Sequence, residues 1–123
     1  MKIIRFEDIE AWQEARNLVK MVYEVIRRSP GFKRDFRLVN QIQDAADSSM
    51  SNIAEGFSRK GNKEFIQFLF ISKSSAAEVQ SHLYVALDRE YICQGEFDAI
   101  YNQAEVVSKL DSGFIKYLNS QLK

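Results

Sequence analysis

The chain has 123 residues, with 17 acidic and 17 basic side chains. This length predicts a single domain spanning residues 1–123, and 46% hydrophobic residues are enough for one core. Five Gly and one Pro are too few for a strand-rich fold, and a single Cys and a single His disfavour the usual multi-Cys and multi-His metal sites. No segment is apolar enough for a signal peptide or a membrane span, so no membrane partner is expected. We expect a cytoplasmic all-α protein without metal or cofactor.

The first predicted helix runs from about residue 8 to residue 29. Its buried face recurs at spacings of three and four residues, through Trp12, Ala15, Val19, Val22 and Ile26. We expect Asp8 to cap this helix. Pro30 and Gly31 should end it, because Pro lacks an amide donor and Gly permits a turn.

The second predicted helix covers about residues 35–60 and is rich in small residues at its centre. They are Ala45, Ala46, Ser48, Ser49, Ser51 and Ala54. Small side chains let helix axes approach closely, so this helix is expected to be central. Gly61 should end it, and Asn62 should cap the next helix.

The third predicted helix, about residues 63–91, is apolar on more than one face. Its main stripe contains Phe65, Leu69, Ser72, Ala76, Val79, Leu83 and Ala86, and the further apolar residues are Ile66, Phe68, Phe70, Ile71, Tyr84, Val85 and Leu87. Such a helix is buried on more than one side, which predicts contacts between subunits. We expect Trp12, Ile53, Phe65 and Leu69 to anchor the core.

The fourth predicted helix runs from about residue 95 to the end. Its stripe is Phe97, Ile100, Ala104, Val107, Leu110, Phe114 and Leu118, and Gly113 weakens its interior. Four long helices joined by short breaks predict an up-down-up-down antiparallel four-helix bundle. The surplus apolar surface predicts that the bundle forms a homo-oligomer.

Few residues offer catalytic chemistry. Glu78 and His82 lie four residues apart, whereas di-iron bundles use two Glu-x-x-His pairs and further Glu residues, so we expect a hydrogen-bonded or solvated His. Cys93 lies eleven residues from the single His and is expected to be a free thiol. The chain contains no nucleophile elbow and no phosphate loop. We therefore expect no enzymatic activity.

Basic residues are the candidate contacts to nucleic acid. The first helix carries Arg16, Lys20, Arg27 and Arg28 on one broad side, Lys33 and Arg34 follow it, and Arg59 and Lys60 end the second helix. A charged helix face is commonly just solvated, and zero net charge disfavours strong electrostatic binding. An oligomer would repeat these residues and multiply weak contacts.

Helical periodicity does not explain the segment Asn52-Ile53-Ala54-Glu55-Gly56-Phe57-Ser58-Arg59-Lys60. Asn52, Glu55 and Arg59 share one helix face. They would form a hydrogen-bonded cluster at a bundle end or subunit contact, the interpretation we favour, or they would grip a ligand. If Glu55 is buried, Arg59 one turn later is its nearest candidate partner.

Separated segments of the chain together carry a family resemblance. They are residues 6–16 (FEDIEAWQEAR), Gln41-Ile42 with Ala45-Ala46, the segment 52–60, residues 63–69 (KEFIQFL) and residues 74–78 (SSAAE). Together they resemble the 23S rRNA-intervening sequence protein family. This resemblance implies a bacterial, cytoplasmic four-helix bundle that forms a ring-like homopentamer and has no catalytic activity. A related branch, the accessory variability protein of diversity-generating retroelements, binds nucleic acid and a reverse transcriptase, which makes both candidate partners.

Two positions depart from the family pattern. Gln43-Asp44 stand where the family usually has Arg residues, and Ser49-Met50 stand where it usually has Ile-Pro. The leading hypothesis is a nucleic-acid-associated scaffold, supported by the resemblance and by the basic side of the first helix. The missing Arg residues and the neutral charge favour the alternative, a protein-protein interaction adaptor with no nucleic-acid role.

Overall fold

The computed structural model describes residues 3–122, and every regular element within that range is helical. A short 3-10 helix at Phe6–Asp8 precedes five α-helices, which are α1 (Glu10–Arg28), α2 (Pro30–Arg34), α3 (Phe36–Phe57), α4 (Asn62–Asp88) and α5 (Gln94–Gln121). The predicted all-α class is confirmed. None of the helices in this range is both long and apolar enough to cross a membrane.

The four long helices contact one another in a closed order, α1 with α3, α3 with α4, α4 with α5, and α5 with α1. Polar contacts between helices mark their register. The hydroxyls of Ser75 on α4 and Ser48 on α3 lie 2.9 Å apart, and the Gln103 amide on α5 donates to the backbone carbonyl of Glu14 on α1 at 2.8 Å. One core lies between the helices. The four predicted anchors, Trp12, Ile53, Phe65 and Leu69, are all buried in it, as predicted.

The start of α1 differs from the prediction. Asp8 does not cap this helix, because it belongs to the 3-10 helix, where its carboxylate accepts a hydrogen bond from the Arg5 amide at 3.3 Å. The residue that precedes α1 is Ile9, which is buried. A buried hydrophobic residue therefore fixes the start of α1, and the Asp8 side chain stabilises the preceding 3-10 helix instead.

The segment after α1 is a helix where we expected a turn. α1 ends at Arg28, but Pro30 begins α2, since its missing N–H and fixed φ suit the first helical turn. The Ser29 hydroxyl accepts a hydrogen bond from the Phe32 amide at 3.3 Å and caps this helix. α2 has five residues, which is too short to produce a helical periodicity in the sequence.

The remaining helix ends move by one to three residues. α3 ends at Phe57, and Gly61 is the cap residue of α4, so that Asn62 is its first helical residue and not its cap. α4 ends at Asp88, earlier than predicted. Beyond it, Glu90 has a φ of 63°, in the left-handed region that residues other than glycine rarely adopt.

Two predicted buried faces are rotated slightly. On α1, Leu18 is buried and Val19 is only partly buried. On α5, Asp111 and Ile115 are buried in place of Leu110 and Phe114, which pack at the edge of the core. The buried α5 residues Phe97, Ala104, Asp111 and Leu118 follow a spacing of seven. These four residues lie on one face of α5 that packs against the core, although one of them is acidic.

Candidate functional site

Three of the predicted basic residues come together on one surface. Lys20 and Arg27 on α1 and Lys33 on α2 line a shallow cavity of about 610 Å³, together with Tyr23 and Gln43. All three cationic side chains are exposed. Two smaller cavities each contain two of the predicted residues, Lys20 with Arg28 and Arg59 with Lys60.

Carboxylates engage two of the guanidinium groups at this end of α1. Glu24 forms ion pairs with Arg27 at 2.7 Å and with Arg28 at 3.3 Å, and Arg28 also lies 3.7 Å from Glu96 on α5. The hydrogen bond from Arg27 lowers the pKa of Glu24. Pairs on an exposed surface contribute little to stability, but they compete with phosphate for the same donors.

α3 adds further negative charge beside this surface. The Tyr23 hydroxyl donates a hydrogen bond to the Asp47 carboxylate at 3.0 Å. Burial raises the pKa of Tyr23, and the hydrogen bond to Asp47 and the charges of Asp47 and Asp44 raise it further. Asp44 stands where the family resemblance leads us to expect Arg. At this position the chain therefore places a negative charge near Tyr23, where the family pattern would place a positive one.

Arg28 and Arg34 lie at this same end, whereas Arg16, Arg59 and Lys60 lie elsewhere. The guanidinium of Arg16 lies 5.9 Å from the centre of the Trp12 ring. Arg59 and Lys60 line a cavity of about 320 Å³ with Ile3, at the end of the molecule where the chain enters α1. α1 has 19 residues, so roughly 28 Å separates that end from Arg27 and Arg28. The predicted basic residues therefore do not form one continuous interface on a single chain.

The family segment at residues 52–60 holds α3 and α4 together. At Gly56 an added Cβ would lie 2.7 Å from the Cβ of Phe68 and 2.8 Å from the ring of Phe65, so only glycine fits without a shift. Ile53 is fully buried, and the Phe57 ring packs edge-on against Phe65 with 6.1 Å between the ring centres.

The polar residues of this segment form two separate contacts. Arg59 donates to Glu55 at 2.8 Å and lies 4.9 Å above the Phe68 ring, so Arg59 is the partner of Glu55 although Glu55 is exposed. Asn52 instead donates to the Ser48 carbonyl at 2.8 Å and to its hydroxyl at 2.9 Å. The predicted three-residue cluster is therefore a pair plus a separate helix contact. Arg59 thereby connects the end of α3 to α4, because Glu55 lies on α3 and Phe68 on α4.

A buried polar contact joins α3, α4 and α5. The Ser72 hydroxyl on α4 lies 2.7 Å from the Ser49 carbonyl oxygen on α3 and 2.6 Å from Oδ2 of Asp111 on α5. Asp111 is fully buried, and its Oδ1 has no hydrogen-bond partner within residues 3–122. Burial raises the pKa of Asp111 to about 7, although the hydrogen bond with Ser72 and the charge of Lys73 lower it.

The hydrogen-bond geometry indicates that Asp111 carries a proton. A serine hydroxyl has one proton to donate, and a backbone carbonyl can only accept. If Asp111 were ionised, Ser72 would face two acceptors at close range with a single proton. A protonated Asp111 donates to Ser72, which in turn donates to Ser49, so each short contact then has a proton.

Glu78, His82 and Cys93 are the other residues that the sequence offers as reactive groups. Glu78 is exposed and His82 half-buried, and both line a cavity of about 370 Å³ with Asp44 and Ser48. Among residues 3–122, no group of three or more His, Cys, Asp or Glu side chains could hold a metal ion. Cys93 is an exposed free thiol at the start of α5.

Two features were not predicted from the sequence. The first is Asp111, which lies seven residues after Ala104 and seven before Leu118; a search for apolar residues alone passes over this position. Phe36, at the start of α3, is 75% exposed between basic residues, and the run Lys33-Arg34-Asp35-Phe36-Arg37 shows this pattern directly.

This geometry is that of a small all-α protein whose four long helices share one core. The family model described as 23S rRNA-intervening sequence protein matches residues 7–113. The chain belongs to this family, as the sequence segments predicted.

One solved structure shows the same fold. It is a crystal structure of a protein with unknown function from the S23 ribosomal protein family of Bacteroides thetaiotaomicron VPI-5482. The TM-score is 0.80 at 22% sequence identity, and the match covers 86% of this chain and 95% of that chain. At this identity the likeness shows the fold alone. No curated protein matches the chain in sequence.

Proposed function

We propose that this protein is a non-enzymatic cytoplasmic scaffold that assembles from several copies and associates weakly with RNA or DNA. In this proposal the four long helices form an up-down-up-down antiparallel bundle. The order of contacts supports that arrangement, because Ser48 and Gly56 on α3 meet Ser75 and Phe68 on α4 in reverse order. The family resemblance favours five copies.

The observation that carries the proposal is an apolar stripe on the outer face of α4. Phe70, Ile71, Tyr84 and Val85 are exposed, each between 42% and 51%. Between the two apolar ends lie the small residues Ser74, Ala77 and Ser81 and one exposed acid, Glu78, and the stripe extends over roughly 21 Å. Exposed apolar surface of this extent is typical of protein interfaces, and a second copy of the chain is the proposed occupant.

The association with nucleic acid follows from repetition of the basic residues. On each chain Glu24 engages Arg27 and Arg28 in ion pairs, which reduces their availability to phosphate. Several copies would present Lys20, Lys33 and Arg34 repeatedly, and linked weak sites give higher overall affinity. Binding should therefore be weak, indifferent to base sequence and strongly dependent on salt.

The test is a titration of RNA and DNA with the purified protein at low and near-physiological salt. We expect binding at low salt that largely disappears at physiological salt, with a slope of roughly −0.9 per phosphate neutralised on duplex DNA. The variant with Arg27, Arg28, Lys33 and Arg34 changed to Ala should lose affinity and salt slope. A matched double variant, Arg59→Ala with Lys60→Ala, tests the opposite end separately. Absence of binding at low salt would contradict the nucleic-acid role.

The second candidate function is a protein-protein adaptor. Asp44 and Asp47 beside the basic surface favour it, because they repel a phosphate backbone and attract a basic protein. A reverse transcriptase is the protein partner suggested by the family resemblance. An oligomer that binds no RNA or DNA at low salt would support this candidate over the scaffold.

A further inference from the structure

The corner between α2 and α3 combines positive charge with an exposed aromatic ring. Residues 27–37 contain five Lys or Arg and one Asp. Lys33, Arg34 and Arg37 are exposed, and none of the ion pairs within residues 3–122 involves them. Phe36 lies among them and is 75% exposed. This is a surface in which cations and an aromatic face are presented together.

The single acid of the corner is engaged internally. The Asp35 carboxylate accepts hydrogen bonds from the Leu38 amide at 3.2 Å and from the Tyr91 hydroxyl at 2.9 Å. The hydrogen bond from Leu38, followed by that from Tyr91, lowers the pKa of Asp35. Asp35 thus fixes the start of α3 and connects it to the segment after α4.

The corner is anchored from inside by aromatic packing. Phe32 is fully buried and stacks on Tyr91, with 5.5 Å between the ring centres. Gly31 lies against the same ring, since an added Cβ would approach it to 3.2 Å. Phe32 therefore fixes α2 against the core. Phe36, four residues later at the start of α3, is exposed to solvent beside this fixed segment.

A braced, exposed aromatic ring among cations fits single-stranded nucleic acid. Proteins that bind single strands combine cations that follow the phosphates with aromatic rings on which bases stack. A duplex hides its base faces within the stack, so it would contact only the cations. The geometry therefore distinguishes between the two forms of nucleic acid.

We infer that Lys33, Arg34, Phe36 and Arg37 form a binding site for single-stranded nucleic acid, with one base stacked on Phe36 and the phosphates held by the three cations. This inference rests on the proposed function and adds to it a strand preference and a stacking residue. It also assigns a role to Phe36, whose ring is largely excluded from the core.

The experiment compares a short oligodeoxythymidylate with a duplex of equal length, at low salt, for four proteins. They are the natural chain and the variants Phe36→Leu, Phe36→Trp and Tyr117→Leu. Tyr117 is the matched control, because it is an exposed aromatic residue on the α5 surface near Lys60, at the opposite end of the molecule. Circular dichroism and light scattering establish that each variant keeps its fold and its mass.

The natural chain should bind the single strand more tightly than the duplex. Phe36→Leu should lose about tenfold in affinity for the single strand and little for the duplex, because Leu cannot stack with a base. Phe36→Trp should keep the affinity, and its emission should be quenched on binding. Tyr117→Leu should behave as the natural chain does.

Four results would overturn the inference. Unchanged single-strand affinity in Phe36→Leu, or an equal loss in Tyr117→Leu, would remove the stacking role while leaving duplex binding and the proposed function intact. A lower oligomer mass in Phe36→Leu would assign Phe36 to a contact between copies. If the natural chain binds neither probe, the proposed nucleic-acid role itself fails.

Discussion

Gly56 and Gly113 both lie within long helices, yet their surroundings differ. A Cβ at Gly56 would approach the Cβ of Phe68 to 2.7 Å, and that atom cannot rotate away. Among the residues described, a Cβ at Gly113 would meet no atom within 4 Å. Gly56→Ala should therefore lower the free energy of unfolding by about 1–3 kcal/mol, through overpacking between α3 and α4.

Gly113→Ala is the control for this change and should act in the opposite direction. Alanine has a higher helix propensity than glycine by about 1 kcal/mol, and the site offers space for the methyl group. Denaturant unfolding of both variants measures the two effects. If Gly56→Ala were as stable as the natural chain, the close approach of α3 and α4 at this residue would be wrong.

Asp111 predicts an unusual dependence of stability on pH. Its pKa is raised from an ordinary 3.8 to about 7 in the folded protein. Between these values the folded state holds a proton that the unfolded state has released. The retained proton stabilises the folded state by up to about 4 kcal/mol in the free energy of unfolding. This stabilisation is complete below a pH of about 4 and is lost as the pH rises to about 7.

Asp111→Asn isolates this contribution, because the Asn amide can donate to Ser72 as the protonated acid does. Glu7, Glu24 and Asp35 have lowered pKa values, so their contributions to stability are lost as the pH falls, opposite to that of Asp111. These contributions are common to both proteins, so the informative quantity is the difference in unfolding free energy between them. The stability of Asp111→Asn relative to the natural chain should rise between pH 5 and pH 8. A constant difference, measured by urea unfolding across this range, would show that Asp111 does not titrate there.

At the scale of helices, periodicity was informative where elements are long and apolar. It located the long helices and identified Trp12, Ile53, Phe65 and Leu69 as core residues. It could not predict α2, since five residues contain little more than one helical turn. It also predicted that Leu110 faces the core, whereas Asp111 does. The burial of an acid is made possible by its contact with Ser72, which belongs to a different helix and is not visible in the periodicity of α5.

The anchoring of α4 is tested by Phe65→Ala. Phe65 is buried and packs edge-on against both Phe57 and Phe114, so its truncation removes contacts to α3 and α5 at once. We expect a loss of about 3–5 kcal/mol in the free energy of unfolding. Phe36→Ala, at an exposed position, should change it by less than about 0.5 kcal/mol. Equal thermal melts for the two variants would mean that the register of α4 is wrong.

At the scale of the whole molecule, the candidate site was only partly predictable from sequence. The basic residues are visible in the sequence, but their division between two ends of the molecule follows from packing. The pairing of Glu24 with Arg27 is local, at three residues' separation, whereas the positions of Lys33 and Asp47 beside this pair follow from the packing of other helices. The exposed stripe on α4 is visible in the sequence as surplus apolar residues, and the packing of α4 against α3 and α5 determines which of them stay exposed.

Assembly of several copies through that stripe is tested most directly by light scattering. Across a dilution series, we expect a mass that is a multiple of the 14.3 kDa chain, with five copies favoured by the family resemblance. Ile71→Glu with Val85→Glu should reduce the mass to that of one chain while the helical circular dichroism persists, because two charges would then be buried in the interface. A mass of 14.3 kDa for the natural chain at every concentration would contradict assembly through α4.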